Sequence, residues 1–339
     1  MKRANVQSDA DGRATLSFTV RDRHAALSLT VSSLEALLSV EAVTDPSGTI
    51  VLDGAAWAAS DQNLTLAVEP WYVDAVVNWP VRKVDPGLSA GTWTFDVLTT
   101  WTDGSAVPSA DVAGSLALKE DDDLSTGALD VVVRYAADLE DDTALTTAVE
   151  QAVTEWQAIW APAGVSVNVR YERADDLPAT LPYPGFSEGL YDLQSSYADR
   201  GELTFIVGET IENELLYLGV AGNIPGSLFW TDRSVVTLAW LAHAGGDAVL
   251  DAGEIAVMGQ TMAHEAGHYL GLFHPVEDGF AAWDALDDTP ECSGSRNCQN
   301  NLGDNVMYYA AICSLSECET QTELTGDQAG VLQRFVGVL

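Results

Sequence analysis

The chain has 339 residues, which is longer than most compact domains, so its length favours two domains. Apolar residues make up 47% of the sequence, which is enough to form hydrophobic cores and excludes a disordered protein. Asp and Glu number 51 against 15 Lys and Arg, and the net charge of −36 argues against nucleic acid and anionic membranes as partners.

The negative charge has two interpretations: a surface that keeps the protein soluble, or one that attracts basic substrates or Ca²⁺. The sequence contains no long apolar run, so it predicts no transmembrane segment. Residues 1–9 carry a basic pair without an apolar segment behind it, which does not fit a signal peptide. The protein is then either cytosolic or the mature part of an exported protein.

Residues 1–120 alternate polar and apolar side chains in short segments, a pattern typical of β-strands. The clearest segments are 14–20, 27–31, 64–68 and 91–97. Short strands separated by turn signals predict an antiparallel β-sandwich. This part contains no catalytic group of residues, so we interpret it as an accessory or pro-like domain. The acidic segment 121–127, which ends in small residues, is the predicted linker.

Residues 128–339 mix strand and helix patterns, which predicts an α/β or α+β domain with a mixed sheet. The predicted elements are strands at 129–135, 165–171, 203–207 and 234–240, and a helix at about 143–160. Asp251 with Glu254, and Thr325 with Gln328, have the spacing of a capping box. They predict the starts of an active-site helix and of a C-terminal helix.

The segment from His264 to His274 reads H-E-A-G-H-Y-L-G-L-F-H and has the spacing of a metal site. His264 and His268 are four residues apart, so a helix places both imidazoles on one face. Gly271 can take a positive φ and end the helix, which lets His274 return as a third ligand. Three imidazoles leave one position of a tetrahedral zinc for water, and Glu265 can take the proton of that water. The arrangement predicts hydrolysis of an amide bond.

The cysteines are clustered near the C-terminus, at Cys292, Cys298, Cys313 and Cys318. Their spacing lacks the paired C-x₂-C motifs of a structural zinc site. An even, clustered set predicts two disulfides, with three pairings open, and therefore an oxidising compartment.

On the motif H-E-x-x-H-x-x-G-x-x-H, residues 128–339 resemble the metzincins, a clan of zinc endopeptidases. Within that clan the resemblance is closest to the pappalysin family, whose H-E-x-G-H-x-L-G-L-x-H core the segment 264–274 matches. Three more segments are similar to that family: Asp284-Ala-Leu-Asp-Asp-Thr-Pro, Asn305-Val-Met-Tyr-Tyr and Leu324-Thr-Gly-Asp-Gln. The chain departs from the family at Pro275, Trp283 and Tyr308, where Thr, Gly and Asp are usual.

The resemblance implies roles for individual residues. The three histidines bind zinc, and Glu265 acts as general base toward water and then as acid toward the leaving amine. Met307 forms an apolar floor beneath the metal, and Tyr309 helps to stabilise the oxyanion. For Met307 and Tyr309 the alternative is an ordinary place in the core.

Asp284, Asp287 and Asp288 form an acidic loop after the metal segment. Clustered carboxylates suit Ca²⁺, and relatives carry calcium in this region, so we expect a calcium site here. The alternative is that these residues shape and solvate a turn. We further expect an extended substrate peptide to pair with 234–240 as the edge strand of the sheet.

These features predict a secreted, periplasmic or cell-surface zinc endopeptidase that acts on proteins or peptides. Two alternatives stay open: a binding or adhesion protein with a purely structural metal, and a zinc hydrolase of a cell-wall peptide. An intact Glu265 argues against the first alternative, because a structural site has no use for that carboxylate.

Overall fold

The computed structural model describes residues 1–120, 124–181, 201–212, 217–227, 235–244, 248–313 and 318–338. Residues 121–123 of the predicted linker, and residue 234 of the predicted edge strand, lie outside the described residues. Within the described ranges, no helix is long and apolar enough to cross a membrane.

The first part of the chain forms two antiparallel sheets that face each other. Its strands are β1 (Lys2–Gln7), β2 (Arg13–Val20), β3 (Ala26–Ser32), β4 (Leu37–Thr44), β5 (Ile50–Asp53), β6 (Gln62–Asn63), β7 (Asp74–Trp79), β8 (Gly91–Thr100) and β9 (Asp111–Lys119), with a short helix α1 (Gly54–Ala58). The sheets have the orders β1-β9-β3-β7 and β2-β8-β4-β5. Strand β2 alternates exposed and buried residues, as its sequence alternates polar and apolar ones. Gly114 of β9 lies directly against the side chains of Leu16 and Phe18, so the two apolar faces meet.

The second part is built on a five-stranded mixed sheet. Its strands, with two short ones beside the sheet, are β10 (Gly127–Ala136), β11 (Val165–Ala174), β12 (Thr180–Leu181), β13 (Leu203–Gly208), β14 (Thr210–Ile211), β15 (Gly219–Ala221) and β16 (Val235–Ala239). The order is β11-β10-β13-β16-β15, and only β15 runs antiparallel to its neighbour. All residues of β13 and β16 are buried, as expected of parallel strands covered on both faces. The predicted mixed α+β architecture is confirmed.

The prediction that the segment 234–240 forms the edge strand is wrong. Strand β16 lies between β13 and β15, and its last predicted residue, Trp240, already begins a helix. The edge strand beside β16 is β15, which has only three residues. It lies in a Gly-rich segment whose sequence shows no clear alternation of polar and apolar residues. Strand β11 forms the opposite edge of the sheet.

The helices are α2 (Thr143–Trp160), α3 (Trp240–His243), α4 (Ala252–Leu270), α5 (Ser295–Leu302) and α6 (Gly326–Phe335). Asp251 and Glu254 form the predicted capping box at the start of α4, and Thr325 and Gln328 form one at the start of α6. Helix α4 ends at Gly271, whose φ of 106° lies in the left-handed region.

Polar contacts join the two parts of the chain. The Lys119 ammonium donates to the carbonyl oxygen of Gln333 at 2.6 Å, and the Arg334 guanidinium donates to that of Val81 at 2.7 Å. One cluster of buried apolar side chains also runs through both parts, from Ala14 to Val338. The division into two domains stays a prediction, but the two parts are packed against each other.

Candidate metal centre

The three predicted histidine ligands converge on one point. His264 and His268 lie one turn apart on α4, and the reversal at Gly271 brings His274 back beside them. His274 Nε2 lies 3.2 Å from His264 Nε2 and 3.1 Å from His268 Nε2. Within the described ranges, this is the one cluster of three or more His, Cys, Asp or Glu side chains compact enough to hold a metal ion.

Hydrogen bonds at the opposite nitrogen of each ring fix its tautomer. His264 Nδ1 donates to the carbonyl oxygen of Val306 at 2.8 Å, and His268 Nδ1 donates to that of Leu272 at 2.6 Å. His274 Nδ1 donates to Glu277 Oε2 at 2.6 Å. With a proton on each Nδ1, all three Nε2 atoms present lone pairs, and none can donate to another. Three converging lone pairs repel one another unless a cation lies between them.

Burial keeps the imidazoles of His264 and His268 neutral. It lowers the pKa of His264 to about 3, with a further contribution from the nearby charge of His274. Burial also lowers the pKa of His268 well below its usual range, and the neighbouring histidines add to that effect. Neutral imidazole is the form that binds metals, so these two rings are ready as ligands at neutral pH.

Glu265 lies beside the histidines and against the edge strand. Its side chain is buried, and a Cβ atom at Gly219 of β15 would come within 2.9 Å of Glu265 Cγ. Burial raises the pKa of Glu265 to about 8, while a hydrogen bond from the backbone N–H of Ala221 opposes this shift. A divalent cation within reach favours the ionised carboxylate, which is the form that accepts a proton.

Met307 packs against α4 at Gly267, between His264 and His268. It is fully buried, and a Cβ atom at Gly267, between two of the ligands on α4, would lie 2.6 Å from Met307 Sδ. The turn that carries Met307 is held by Asn305, whose Oδ1 accepts from the Met307 N–H at 2.9 Å. Asn305 Nδ2 in turn donates to Gln328 Oε1 at 2.8 Å. The capping box of α6 thus also supports the turn whose Val306 carbonyl orients His264.

The histidines, Glu265 and Tyr309 line one open cleft of about 750 Å³. Strand β15 forms one wall of this cleft, and the segment from Val306 to Ala311 forms another. Tyr309 packs against Phe280 and Tyr308, with ring centroids 5.8 and 4.8 Å away. The structure therefore brings Tyr309 to the same cleft as the predicted ligands.

The three predicted calcium ligands do not converge. Asp284 is buried, whereas Asp287 and Asp288 are exposed, and Asp288 Oδ2 accepts from the N–H of Asp327 at 2.8 Å. Asp284 Oδ1 instead accepts from the Thr289 hydroxyl and from the N–H of Leu286. Calcium binding at this loop stays a prediction.

The predicted disulfides are confirmed, and the structure pairs Cys292 with Cys298 and Cys313 with Cys318. The fourth histidine of this part, His243, is buried outside the cluster. Its Nε2 lies 3.1 Å from Thr261 Oγ1, and its Nδ1 lies 2.8 Å from the carbonyl oxygen of Ala239. His243 therefore has a structural role in the packing of α3 against α4.

Sequence reasoning missed three residues that support the ligands. Glu277 accepts from His274, and Asn63 from the first part of the chain donates to Glu277 Oε1 at 3.1 Å. Asn78 Nδ2 donates to the carbonyl oxygen of Leu270 at 3.0 Å, at the end of α4. Only Glu277 carried a usable signal, since it lies three residues after a predicted ligand.

Fold and site together define a protein of mixed α+β architecture with a three-histidine site that could hold a metal ion. No protein-family model matches the chain, and no curated protein matches it.

Three solved structures are similar to parts of the chain. Metalloproteinase-II from Bacteroides fragilis aligns with 16% identity and a TM-score of 0.37, over 62% of this chain and 54% of its own. A chain from a chaperone-substrate complex aligns with 10% identity and a TM-score of 0.32, over 63% and 38% of the two chains. Archaemetzincin from Methanopyrus kandleri aligns with 17% identity and a TM-score of 0.29, over 42% and 75%. The chain thus spans about half the length of the Bacteroides protein.

Proposed function

We propose that this protein is a zinc-dependent endopeptidase of the metzincin type, similar to the pappalysins, that hydrolyses proteins or peptides. One observation carries the proposal: the Nε2 atoms of His264 and His268 lie 3.2 and 3.1 Å from that of His274, beside a buried carboxylate at the wall of an open cleft. A site with a purely structural metal needs neither the carboxylate nor the cleft.

The donor set and its spacing fit zinc. Zn–N bonds of about 2.0–2.1 Å in a tetrahedron separate neighbouring nitrogen ligands by about 3.3–3.4 Å. The distances of 3.1 and 3.2 Å from His274 Nε2 to the other two Nε2 atoms need only a slight expansion to reach this value. Bound by the three imidazoles, zinc would lower the pKa of a water molecule at the site to about 7 and polarise a carbonyl group.

The chain's own residues supply the remaining steps. Glu265 removes the proton from the attacking water and delivers it to the leaving amine. The Tyr309 hydroxyl donates to the oxyanion that forms on the substrate carbonyl. Strand β15, whose residues Gly219 and Ala221 contact Glu265, offers a free backbone edge to which an extended peptide adds as a further strand.

The disulfides and the net charge indicate where the enzyme acts and which peptides it favours. Two disulfides favour a secreted, periplasmic or cell-surface location. The net charge of −36 favours basic peptides over acidic ones by attraction. We expect Ca²⁺ to bind near Asp284, where a buried carboxylate oxygen has no hydrogen-bond partner among the described residues.

The test uses the full chain, casein and a mixed peptide library. We expect cleavage that a chelator abolishes and that added zinc restores. Glu265→Gln should lower kcat by a factor of about 10²–10⁴, because it removes the proton acceptor, and should leave zinc bound. Glu150→Gln, a matched change at an exposed position of α2, should keep full activity.

Two results would contradict the peptidase. Zinc at full occupancy without turnover of any peptide would indicate a binding protein. Cleavage confined to cell-wall peptides would indicate a hydrolase of that polymer.

A further inference from the structure

The third histidine ligand is connected by hydrogen bonds to the first part of the chain. His274 Nδ1 donates to Glu277 Oε2 at 2.6 Å. The other oxygen of the same carboxylate, Oε1, accepts from Asn63 Nδ2 at 3.1 Å. Asn63 lies on β6, which precedes the predicted linker by almost 60 residues, so the contact crosses between the two parts of the chain.

Backbone pairing fixes the position of this contact. Strand β6 pairs in parallel with β17 (Trp283–Asp284), and Asn63 is in register with Asp284. The N–H of Trp283 donates to the carbonyl oxygen of Asp61, and that of Ala285 donates to that of Asn63. Trp283 also pairs with Val276, and the N–H of Glu277 donates to the carbonyl oxygen of Ala282 at 2.9 Å. Three short chain segments therefore lie side by side, with the carboxylate of Glu277 at one end.

We propose that Glu277 is a positioning residue for His274, and that Asn63 holds Glu277 in place. The metal site is then complete only with the first part of the chain attached, so that part belongs to the working enzyme and is not a pro-segment to be removed. The inference rests on the proposed function only for the identity of the metal.

The physical argument concerns the ring of His274. This residue follows a chain reversal and is not part of a helix, so its ring lacks the support that α4 gives to the other two ligands. A carboxylate that accepts from Nδ1 fixes the ring's orientation and tautomer, and it raises the basicity of Nε2. Glu277 is itself 30% exposed and has a flexible side chain, so it needs a second partner to stay in this rotamer. Asn63 supplies that partner.

The chain contains a matched control on the same strand. Gln62 precedes Asn63, and its Nε2 donates to Glu291 Oε1 at 3.3 Å. This is again an amide of the first part bonded to a carboxylate of the second, but among the described residues no hydrogen bond or ion pair joins Glu291 to a histidine. Both pairs join the two parts of the chain, and only the pair of Asn63 with Glu277 is bonded to a histidine of the candidate metal site.

The test measures zinc affinity of the full chain by competition with a chromophoric chelator. We expect Glu277→Ala to weaken zinc binding by a factor of about 10–100 and Glu277→Gln to weaken it less, because an amide oxygen still accepts from the ring. Asn63→Ala should weaken it about three- to tenfold, the effect of one hydrogen bond. Asn63→Ala should add nothing in the Glu277→Ala background, since it acts through that carboxylate.

A second readout follows the ligand geometry directly. The visible absorption of the Co²⁺-substituted protein should change in the Glu277 and Asn63 variants and stay unchanged in Gln62→Ala and Glu291→Ala. Unfolding of each metal-free variant in chelator shows whether it is folded, and Asn63→Ser replaces Asn63→Ala if the latter is not.

Zinc affinity within twofold of wild type in the Glu277 and Asn63 variants would overturn the inference, as would equal losses in the control pair. These outcomes are separate from failure of the proposed function. If the wild-type chain binds zinc tightly but cleaves no peptide, the peptidase proposal fails while the role of Glu277 is still measured.

Discussion

Asp284 is a buried carboxylate next to the metal segment, and its protonation couples stability to pH. Burial raises its pKa to about 7, Asp288 and Glu277 add to the shift, and the hydrogen bonds from Thr289 and Leu286 oppose it. In the unfolded chain the pKa is about 3.9, so between about pH 4 and pH 7 the native state holds more protons. The contribution of Asp284 to stability is therefore present below about pH 4 and is lost as pH rises through about 7.

We expect Asp284→Asn to remove this loss. In chelator, the variant should match the wild type at pH 4 and exceed its free energy of unfolding at pH 8 by about 4 kcal/mol or less, since the shift is about three pKa units. Denaturant unfolding at both pH values measures the difference between the two proteins. Asp287→Asn, at an exposed position of the same loop, is the control. A wild type as stable as Asp284→Asn at pH 8 would contradict the argument.

At the residue scale, spacing along the sequence was enough to predict that the three histidines come together. His264 and His268 lie on one face of a helix because they are four residues apart. The left-handed glycine at the end of that helix turns the chain back, which places His274 beside them. The partners of those ligands could not be predicted in this way. Asn63 reaches Glu277 through strand pairing between distant segments, and no local pattern encodes that register.

The elements that carry the site depend on close packing between helices. Gly259 of α4 lies against α2, where an added Cβ atom would come within 2.6 Å of the carbonyl oxygen of Ala152 and of Glu155 Cβ. Backbone cannot move aside at such a contact, so the two helices would have to separate. Because α4 carries His264 and His268, the separation would also disturb the metal centre.

Gly259→Ala should therefore lower the free energy of unfolding by about 1–3 kcal/mol, despite the better helix propensity of alanine. Thermal and denaturant unfolding of the zinc-loaded protein measure the loss. The matched control is Gly330→Ala in α6, where the nearest atoms are 3.6 Å or more away on the Arg334 side chain. There we expect a gain of about 0.5–1 kcal/mol. A gain at both positions would mean that α2 and α4 are not closely packed.

Element order was predicted more accurately than strand position within the sheet. The capping residues Asp251 and Thr325 marked helix starts correctly, because a cap is a local hydrogen-bonding motif. The apolar segment around Val236 predicted a strand but not which strands lie beside it, because a fully buried apolar sequence fits any interior position of a sheet. The three-residue edge strand β15 is too short to show a period, so its role beside Glu265 is apparent only in three dimensions.

Across the whole molecule, the unbalanced charge should dominate the response to salt. Several cations of the described residues already have acidic partners, as Arg170 does with Glu202 and Arg173 does with Asp141. With 51 acidic against 15 basic residues, most carboxylates can only repel one another. Raising the salt concentration from 0.1 to 1 M shortens the screening length from about 10 to about 3 Å, which weakens this repulsion.

We expect the free energy of unfolding at pH 7.5 to rise between 0.1 and 1 M NaCl by an amount on the order of a few kcal/mol, the sum of many repulsive contacts of a few tenths each. NaCl is preferred to sulfate, because sulfate stabilises proteins by exclusion from their surface whatever their charge. The same salt step at about pH 4.5 should stabilise the protein less, because many carboxylates are then neutral. Urea unfolding at both salt concentrations and both pH values measures the four free energies. A fall in stability with salt at pH 7.5 would mean that ion pairs such as those of Arg170 and Arg173 outweigh the repulsion among the remaining carboxylates.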